Sequence, residues 1–428
     1  MYPDIEHLLE SLLGTDMPAW LSIFKTFGLM VAIAFLFAAW AMQKELKRKE
    51  EEGLLSPTYT NIEVGKPVTT NELILSALLG FVLGFKVGGM FGNIAEVSPD
   101  PMGYLFSMKG NLLVGIIGAA IMCYFKYAEK KKEQLAEPTT KRIAIHPYQR
   151  ISEIVMICAV GGLAGAKIFN AFETWDDFIR NPMESLLSSS GLTFYGGLIV
   201  ATIALVFYAR KHSIPFKHLC DAAAPALILA YGVGRLGCQL SGDGDWGIFN
   251  SAYVTEQNGN LRPAVQGEYE QMLQAAHPYF VNNFGDLKDV PHIKAPAPSW
   301  LPDWLYAMNY PHNVNNEGVA IAGCRDNYCA VLPVGVFPTP LYEAIVCVGI
   351  FFFLWSIRKR LKAPWQMFGI YLIFNGAERF LVEKIRVNYK YDWGFLHPTQ
   401  AEIISTLLII IGILLLVFNR KQQTTATT

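Results

Sequence analysis

The chain has 428 residues, 17% of them charged and 52% hydrophobic, and its mean hydropathy is positive. Soluble domains run near a quarter charged, so the composition argues against a cytosolic enzyme and makes the membrane the first hypothesis. With 35 basic against 36 acidic side chains the net charge is −1, which leaves no field to hold a phosphate polymer by counterion release, so no nucleic-acid partner is expected.

A segment of about 20 apolar residues is needed to cross roughly 30 Å of hydrocarbon. Nine stretches qualify: Trp20–Met42, Glu72–Gly92, Asn111–Tyr127, Ser152–Phe172, Gly191–Tyr208, Leu219–Leu240, Pro340–Ile357, Gln366–Val382 and Thr399–Phe418. Gly161, Gly162, Gly165, Gly196 and Gly197 within them suit close helix packing in lipid. Every odd-numbered stretch ends in a basic cluster: Lys44, Lys47, Arg48 and Lys49; Lys130 to Lys132 with Lys141 and Arg142; Arg210 and Lys211; Arg358 to Arg360 with Lys362; Arg420 and Lys421. Because cytoplasmic loops keep the Lys and Arg excess, we expect an all-α polytopic membrane protein of about nine transmembrane helices, N-terminus outside and C-terminus cytoplasmic. Met1–Asp16 has no basic region and no small-residue cleavage pattern, so the first stretch is expected to be retained.

Residues Ser241–Val336 interrupt the spans on the outer side and are too long for a plain connector. Tyr269, Tyr279, Phe280, Trp300, Trp304, Tyr306 and Tyr310, with several prolines, predict a small ordered extracytoplasmic cap. Seven cysteines are too few for a disulfide scaffold, but Cys324 and Cys329 lie close together in an oxidising compartment. A local disulfide is the leading reading there; a metal site is the weaker one, with no histidine close in sequence.

Sliding the chain by 81 positions brings Glu72 over Glu153, Gly80 over Gly161, Gly84 over Gly165, Lys86 over Lys167, Gly110 over Gly191, Gly115 over Gly196 and Tyr127 over Tyr208, without a gap. A two-span unit is duplicated in the same orientation, a parallel repeat unlike the inverted repeats common in transporters. Phe194-Tyr195-Gly196-Gly197 in the second copy replaces Leu113-Val114-Gly115-Ile116 in the first, so we expect the second copy to serve the working site and the first to be scaffold. The chain accordingly divides into an N-terminal segment with the first span and a cytoplasmic loop (1–71), the extra repeat copy (72–148), a first transmembrane core part (149–240), the cap (241–336) and a second core part (337–428).

An ionisable residue inside a span is costly unless it faces a cavity or a partner, so each is a functional candidate. Arg235 closes the sixth span in Gly234-Arg235-Leu236-Gly237-Cys238, and Arg379 follows Asn375-Gly376-Ala377-Glu378, with Glu383 and Arg386 beyond. Two guanidinium groups near the outer face suit a lipid phosphate, which arginine grips with fixed paired donors. The alternative is structural ion pairing, Arg379 with Glu383 at the i, i+4 spacing and Arg235 with Asp243 or Asp245. Lys86 and Lys167 read as structural, Glu343 as a buried hydrogen-bonding partner, and His397 equally as the start of a helix or a ligand.

Together these residues resemble the prolipoprotein diacylglyceryl transferase family, with a Ser-Gly-x-x-Phe-His-Gly-Gly stretch, a Gly-Arg-[Leu/Ile]-Gly-Asn-Phe-[Ile]-Asn-Gly-Glu signature, a Pro-Ser-Gln-Leu-Tyr-Glu element and a late Tyr-Gly-x-x-Arg-x-x-x-Glu helix. The counterparts are Ser190-Gly191-Leu192-Thr193-Phe194-Tyr195-Gly196-Gly197, Gly234-Arg235-Leu236-Gly237-Cys238 through Gly242-Asp243, Pro338-Thr339-Pro340-Leu341-Tyr342-Glu343, and Asn375-Gly376-Ala377-Glu378-Arg379 with Glu383. The likeness covers the first span, about Gln149 to Leu240, and Phe337 to the C-terminus. It implies a multi-pass inner-membrane enzyme of lipoprotein biosynthesis in bacteria, needing no cofactor. Its reaction is transfer of a diacylglyceryl group from phosphatidylglycerol to the lipobox cysteine thiol of a prolipoprotein signal peptide. On this reading Arg235, Arg379, Tyr195 and Asp243 are catalytic candidates. Gly196, Gly197, Gly234, Gly237, Cys238, Glu343, Asn375 and Glu383 are lipid- or substrate-binding candidates.

The departures are specific: the family histidine is Tyr195, its asparagine Cys238, its glutamate Asp243 and its late tyrosine Asn375. Since a tyrosine with a pKa near 10 is a poor base at neutral pH, base work passes to Asp243, Asp245 or Glu383, or is absent. The competing readings are a lipid- or lipoprotein-binding membrane protein without transfer chemistry and a transferase with another acceptor.

Overall fold

The computed structural model describes residues 1–98, 101–187, 191–394 and 396–425; Ser190 of the Ser-Gly stretch lies outside them. Nine long helices carry the fold among the described residues: α1 (Thr26–Glu51), α2 (Thr70–Gly92), α3 (Leu112–Glu133), α4 (Ile151–Glu173), α5 (Phe194–Lys211), α6 (Phe216–Ser241), α7 (Thr339–Ile357), α8 (Gln366–Glu383) and α9 (Gln400–Thr425). Eight are long and apolar enough to cross a membrane. The exception is α8, whose apolar run is broken by Asn375, Glu378, Arg379 and Glu383; Glu378 and Glu383 are buried, so the helix turns its polarity inward.

The first span differs from its expected limits. Ala19–Ile23 is a separate 3-10 turn, so α1 starts at Thr26 rather than Trp20. It runs past Met42 to Glu51 because the Lys- and Glu-rich stretch beyond is made of strong helix formers, with Arg48 paired to Glu52 at 2.8 Å.

The chain forms two compact units. One holds Pro18–Ile23 and Leu46–Phe216. Within it the repeat is visible helix by helix: α2 moved by 81 positions lands on α4 from first residue to last, and the short helix Pro101–Phe106 lands on Pro182–Leu187. In both copies glycines let the two long helices touch backbone to backbone. A Cβ on Gly80 would meet Met122 at 2.8 Å, and one on Gly165 would meet Val200 at 2.6 Å. Lys86 donates to the carbonyls of Tyr104 (3.1 Å), Ser107 and Lys109, and Lys167 to that of Ser185 (3.3 Å), 81 positions on from Tyr104. Both lysines thus tie the connecting segment to the first helix of their copy. An antiparallel ribbon of β1 (Thr58–Val64) and β2 (Thr139–Ile145) completes this unit.

The other unit holds Met1–Met17, Phe24–Glu45 and Lys217–Thr428. Its most buried helix is α6, which keeps small residues from Ala222 to Gly237 inside. Asp221 on α6 accepts from the backbone amides of Trp365 and Phe368, both at 2.9 Å, and so caps α8 from outside. Gly369 and Gly376 on α8 pack against α9. The segment from 241 to 336 is ordered but not helical throughout: β3 (Phe249–Thr255) is wholly buried and pairs with β4 (Leu261–Pro263), β5 (His292–Ile293) and β6 (Val334–Val336). Phe249, Phe280, Tyr269, Tyr310, Trp246 and Leu332 form its core. Cys324 and Cys329 are joined by a disulfide, as expected.

Candidate functional site

The end of α6 is where the ionisable residues gather, and the backbone explains why. Gly242, with φ +68°, takes the left-handed conformation that ends the helix, its amide bonding the Cys238 carbonyl at 3.0 Å. The chain then runs between two other elements: the Asp245 carbonyl accepts from Thr339 Oγ1 at 2.8 Å, Gly247 N–H donates to the Phe337 carbonyl at 2.8 Å, and Ile248 N–H to the Ile385 carbonyl at 2.9 Å. These bonds fasten the 242–248 loop to the start of α7 and to the residues just past α8.

The result is a three-arginine cluster around one carboxylate. Glu343 on α7 is fully buried (0% exposed side chain) and pairs with Arg235, with Arg379 at 3.4 Å and with Arg386 at 3.0 Å. Tyr231 Oη donates to it at 2.8 Å, and the Arg235 guanidinium lies 5.2 Å from the Tyr231 ring centroid. Asp245 pairs with Arg235 and Arg386, while Glu383 pairs with Arg379 at 2.8 Å and accepts from Asn388 at 2.7 Å. Three positive groups are thus matched by Glu343, Asp245 and Glu383, as burial of charge demands. Both ion pairs offered as the structural alternative exist; Arg235 chose Asp245 over Asp243.

The cluster is not sealed. The side chains of Arg235 and Arg379 are 17% and 24% exposed, and that of Asp245 35%. Gly234, next to Arg235, would have open space in place of a Cβ. Burial works against charge on Asp245, but Arg235 and Arg386 outweigh it and hold this carboxyl below the usual carboxylate range. Asp243 makes no ion pair among the described residues: burial, and then the neighbouring Asp245, push its carboxyl up to about 6 against the smaller opposing pull of Arg235. The Cys238 thiol lies 3.9 Å from Asp243 and 3.8 Å from Asp245.

The other expected residues fall in different settings. Gly237 is a packing residue whose Cβ would sit 3.0 Å from Met30 on α1. Asn375 is half-buried on α8. Tyr195, Gly196 and Gly197 belong to the repeat unit. There Tyr195 is half-buried in the first turn of α5 with its ring edge-on to Phe194, and Gly196 and Gly197 face α4 at Phe169 and Gly162. His397 pairs with Asp392 at 3.3 Å in the hairpin before α9. Arg386 and Tyr231 were not singled out as site residues from sequence. Arg386 follows Arg379 by seven positions but lies past the end of α8, outside the apolar run that made Arg379 stand out; Tyr231 is one turn before Arg235.

The prolipoprotein diacylglyceryl transferase family model matches residues 111–418. That stretch contains α3 through α8 and most of α9, so it begins with the second helix of the first repeat copy and leaves out α1 and α2. The sequence likeness drawn above had included the first span and set the whole first copy aside. Curated relatives named phosphatidylglycerol–prolipoprotein diacylglyceryl transferase include those of Dehalococcoides mccartyi (23% identical over 283 residues, 66% of this chain and 82% of the relative), Leptospira interrogans (24% over 310 residues, 60% and 76%) and Xanthomonas campestris (27% over 270 residues, 61% and 72%).

Proposed function

Since the chain belongs to the prolipoprotein diacylglyceryl transferase family, we propose that it takes the diacylglyceryl group of phosphatidylglycerol and transfers it to the lipobox cysteine thiol of a prolipoprotein signal peptide, in the bacterial inner membrane. The observation that carries this reading is the convergence of Arg235, Arg379 and Arg386 on Glu343, with Arg235 and Arg386 also reaching Asp245 in the loop between α6 and β3 and with Arg235 and Arg379 partly exposed.

In the proposed step the cysteine sulfur forms a bond to the terminal glyceryl carbon, and the bond from that carbon to the phosphate oxygen breaks. The electron pair leaves with the phosphate as glycerol phosphate, and the thiol proton goes to a base. The arginines supply what the leaving group needs, fixed positive donors in a largely buried site, where each is worth more than in bulk water. Asp245, the most exposed of their carboxylate partners, is the group the incoming phosphodiester displaces or joins. Asp243 is the base: a carboxyl that loses its proton near pH 6 is ionised at neutral pH yet retains basicity. This assignment replaces the family histidine, whose position Tyr195 occupies by sequence; the Tyr195 hydroxyl is tested by Tyr195→Phe.

The experiment is transfer of labelled diacylglyceryl from phosphatidylglycerol to a lipobox peptide by the purified protein. Arg235→Ala and Arg379→Ala should each lower kcat/KM by about 10²–10³. Binding of the lipid by the parent without any turnover would replace this reading by the lipid-binding one, and turnover only with a different thiol or hydroxyl acceptor would change the acceptor.

A further inference from the structure

Beneath the arginine cluster lies a second carboxyl that the transfer scheme does not use. Glu378 on α8 is 4% exposed, and neither of its oxygens receives a hydrogen bond among the described residues. Buried carboxyl groups nearly always have donors, and one without them is costly to keep charged. The groups within electrostatic reach of it are Tyr231 and Arg235 from α6, Glu343 and Cys347 from α7, Tyr371 and Arg379 from α8, and Arg386 beyond α8. Tyr231 and Cys347 border Glu343 and Glu378 alike, so the two carboxyls occupy one pocket between three helices. Two neighbouring buried carboxyls do not titrate independently and tend to share a proton.

The cluster makes that proton consequential. Arg235, Arg379 and Arg386 surround the Glu343 carboxylate and supply its charge compensation. A phosphodiester that takes donors from those arginines removes charge compensation from the pocket, and the cheapest restoration is a proton from solvent. We propose that Glu343 and Glu378 act as a proton-sharing pair that takes up one proton when an anionic phosphodiester headgroup binds the three arginines. Glu378 is then a positioning residue, acting through Glu343 rather than on the substrate. The inference rests on the phosphate-site reading above.

The test is calorimetric titration of the full-length protein in detergent micelles with short-chain phosphatidylglycerol, repeated in buffers of different ionisation enthalpy. Glycerol phosphate alone in a parallel titration separates a lipid headgroup from a free phosphate as the source of the effect. The binding enthalpy of the parent should vary with buffer as uptake of about one proton per lipid requires, and Glu378→Gln, which keeps the shape but cannot titrate, should bind with a slope near zero. Binding without buffer dependence in the parent, or with the same dependence in Glu378→Gln, overturns the proton-sharing pair while leaving the phosphate site intact. Absence of binding by the parent overturns the phosphate site itself. Should Glu378→Gln fail to fold, infrared difference spectra of the parent decide: a new protonated-carboxyl band on lipid addition is expected, and its absence counts against the pair.

Discussion

At the scale of single residues, the site turns on which carboxyls find arginines and which do not. Asp245 ion-pairs with two and is held below the usual carboxylate range; Asp243, two positions earlier, makes no ion pair among the described residues and is pushed up to about 6 despite Arg235 nearby. If Asp243 is the base, it must be deprotonated to work, so turnover should rise with pH through about 6 and level off above it. Asp243→Asn should remove that rise and reduce turnover by about 10²–10³-fold. A pH–rate profile of both proteins checks this, and an unchanged acid limb in Asp243→Asn would move the base elsewhere. Arg235, Arg379 and Glu343 were legible in sequence because an ionisable side chain in an apolar run stands out against the lipid requirement. Arg386 was hidden by the opposite circumstance, as it lies past the apolar run among other loop lysines and arginines. That Glu343 is the hub of three ion pairs is invisible from sequence, since its partners come from helices more than a hundred residues apart along the chain.

Among elements, the repeat was the strongest sequence signal, and its glycines tell what the identity preserves. Gly165 lies where α4 and α5 touch, with Val200 2.6 Å from the place a Cβ would take, so Gly165→Val forces the helices apart. We expect a cost of about 1–3 kcal/mol, read as a lower thermal midpoint in micelles, and a similar cost for Gly84→Val in the first copy. The strands were not legible. β3 is buried along its whole length and pairs with β6 about eighty residues later, so it carries no alternation and no nearby partner to reveal it. Tertiary contact also decides the short N-terminal helix Ile5–Leu13. His7 on it bonds Asp4 and Asp326, each at 2.6 Å, and Asp326 sits inside the ring closed by the Cys324–Cys329 disulfide. The bond to Asp4 first, and that to Asp326 as well, raise His7 to about 9 against the opposing effect of burial. A raised histidine contributes its stability fully below its unfolded pKa near 6.5 and loses it as pH rises through about 9. Thermal midpoints should therefore fall across that window, by an amount equivalent to about 2 kcal/mol after allowance for the partly exposed Asp326 end. His7→Gln should flatten the dependence.

For the whole molecule, the chain's most economical statement is its charge pattern. Each odd-numbered helix, α1 through α9, is followed by or ends in lysines and arginines, and the cap with its disulfide falls on the other side of the count. What the pattern could not disclose is that the compact units interleave along the sequence, one of them taking residues from both ends of the chain. It predicts an orientation, since short basic loops stay cytoplasmic and a disulfide persists only in an oxidising compartment. After treatment of intact cells with a membrane-impermeant reductant, Cys324 and Cys329 should react with an impermeant maleimide. The remaining cysteines, Cys123, Cys158, Cys220, Cys238 and Cys347, are buried or half-buried and give little background. A cysteine introduced as Lys131→Cys, at the exposed basic end of α3, should react only once the cells are permeabilised. The reverse labelling would place the arginine cluster on the cytoplasmic side, out of reach of a signal peptide that has already crossed, and the lipobox acceptor would have to be abandoned with it.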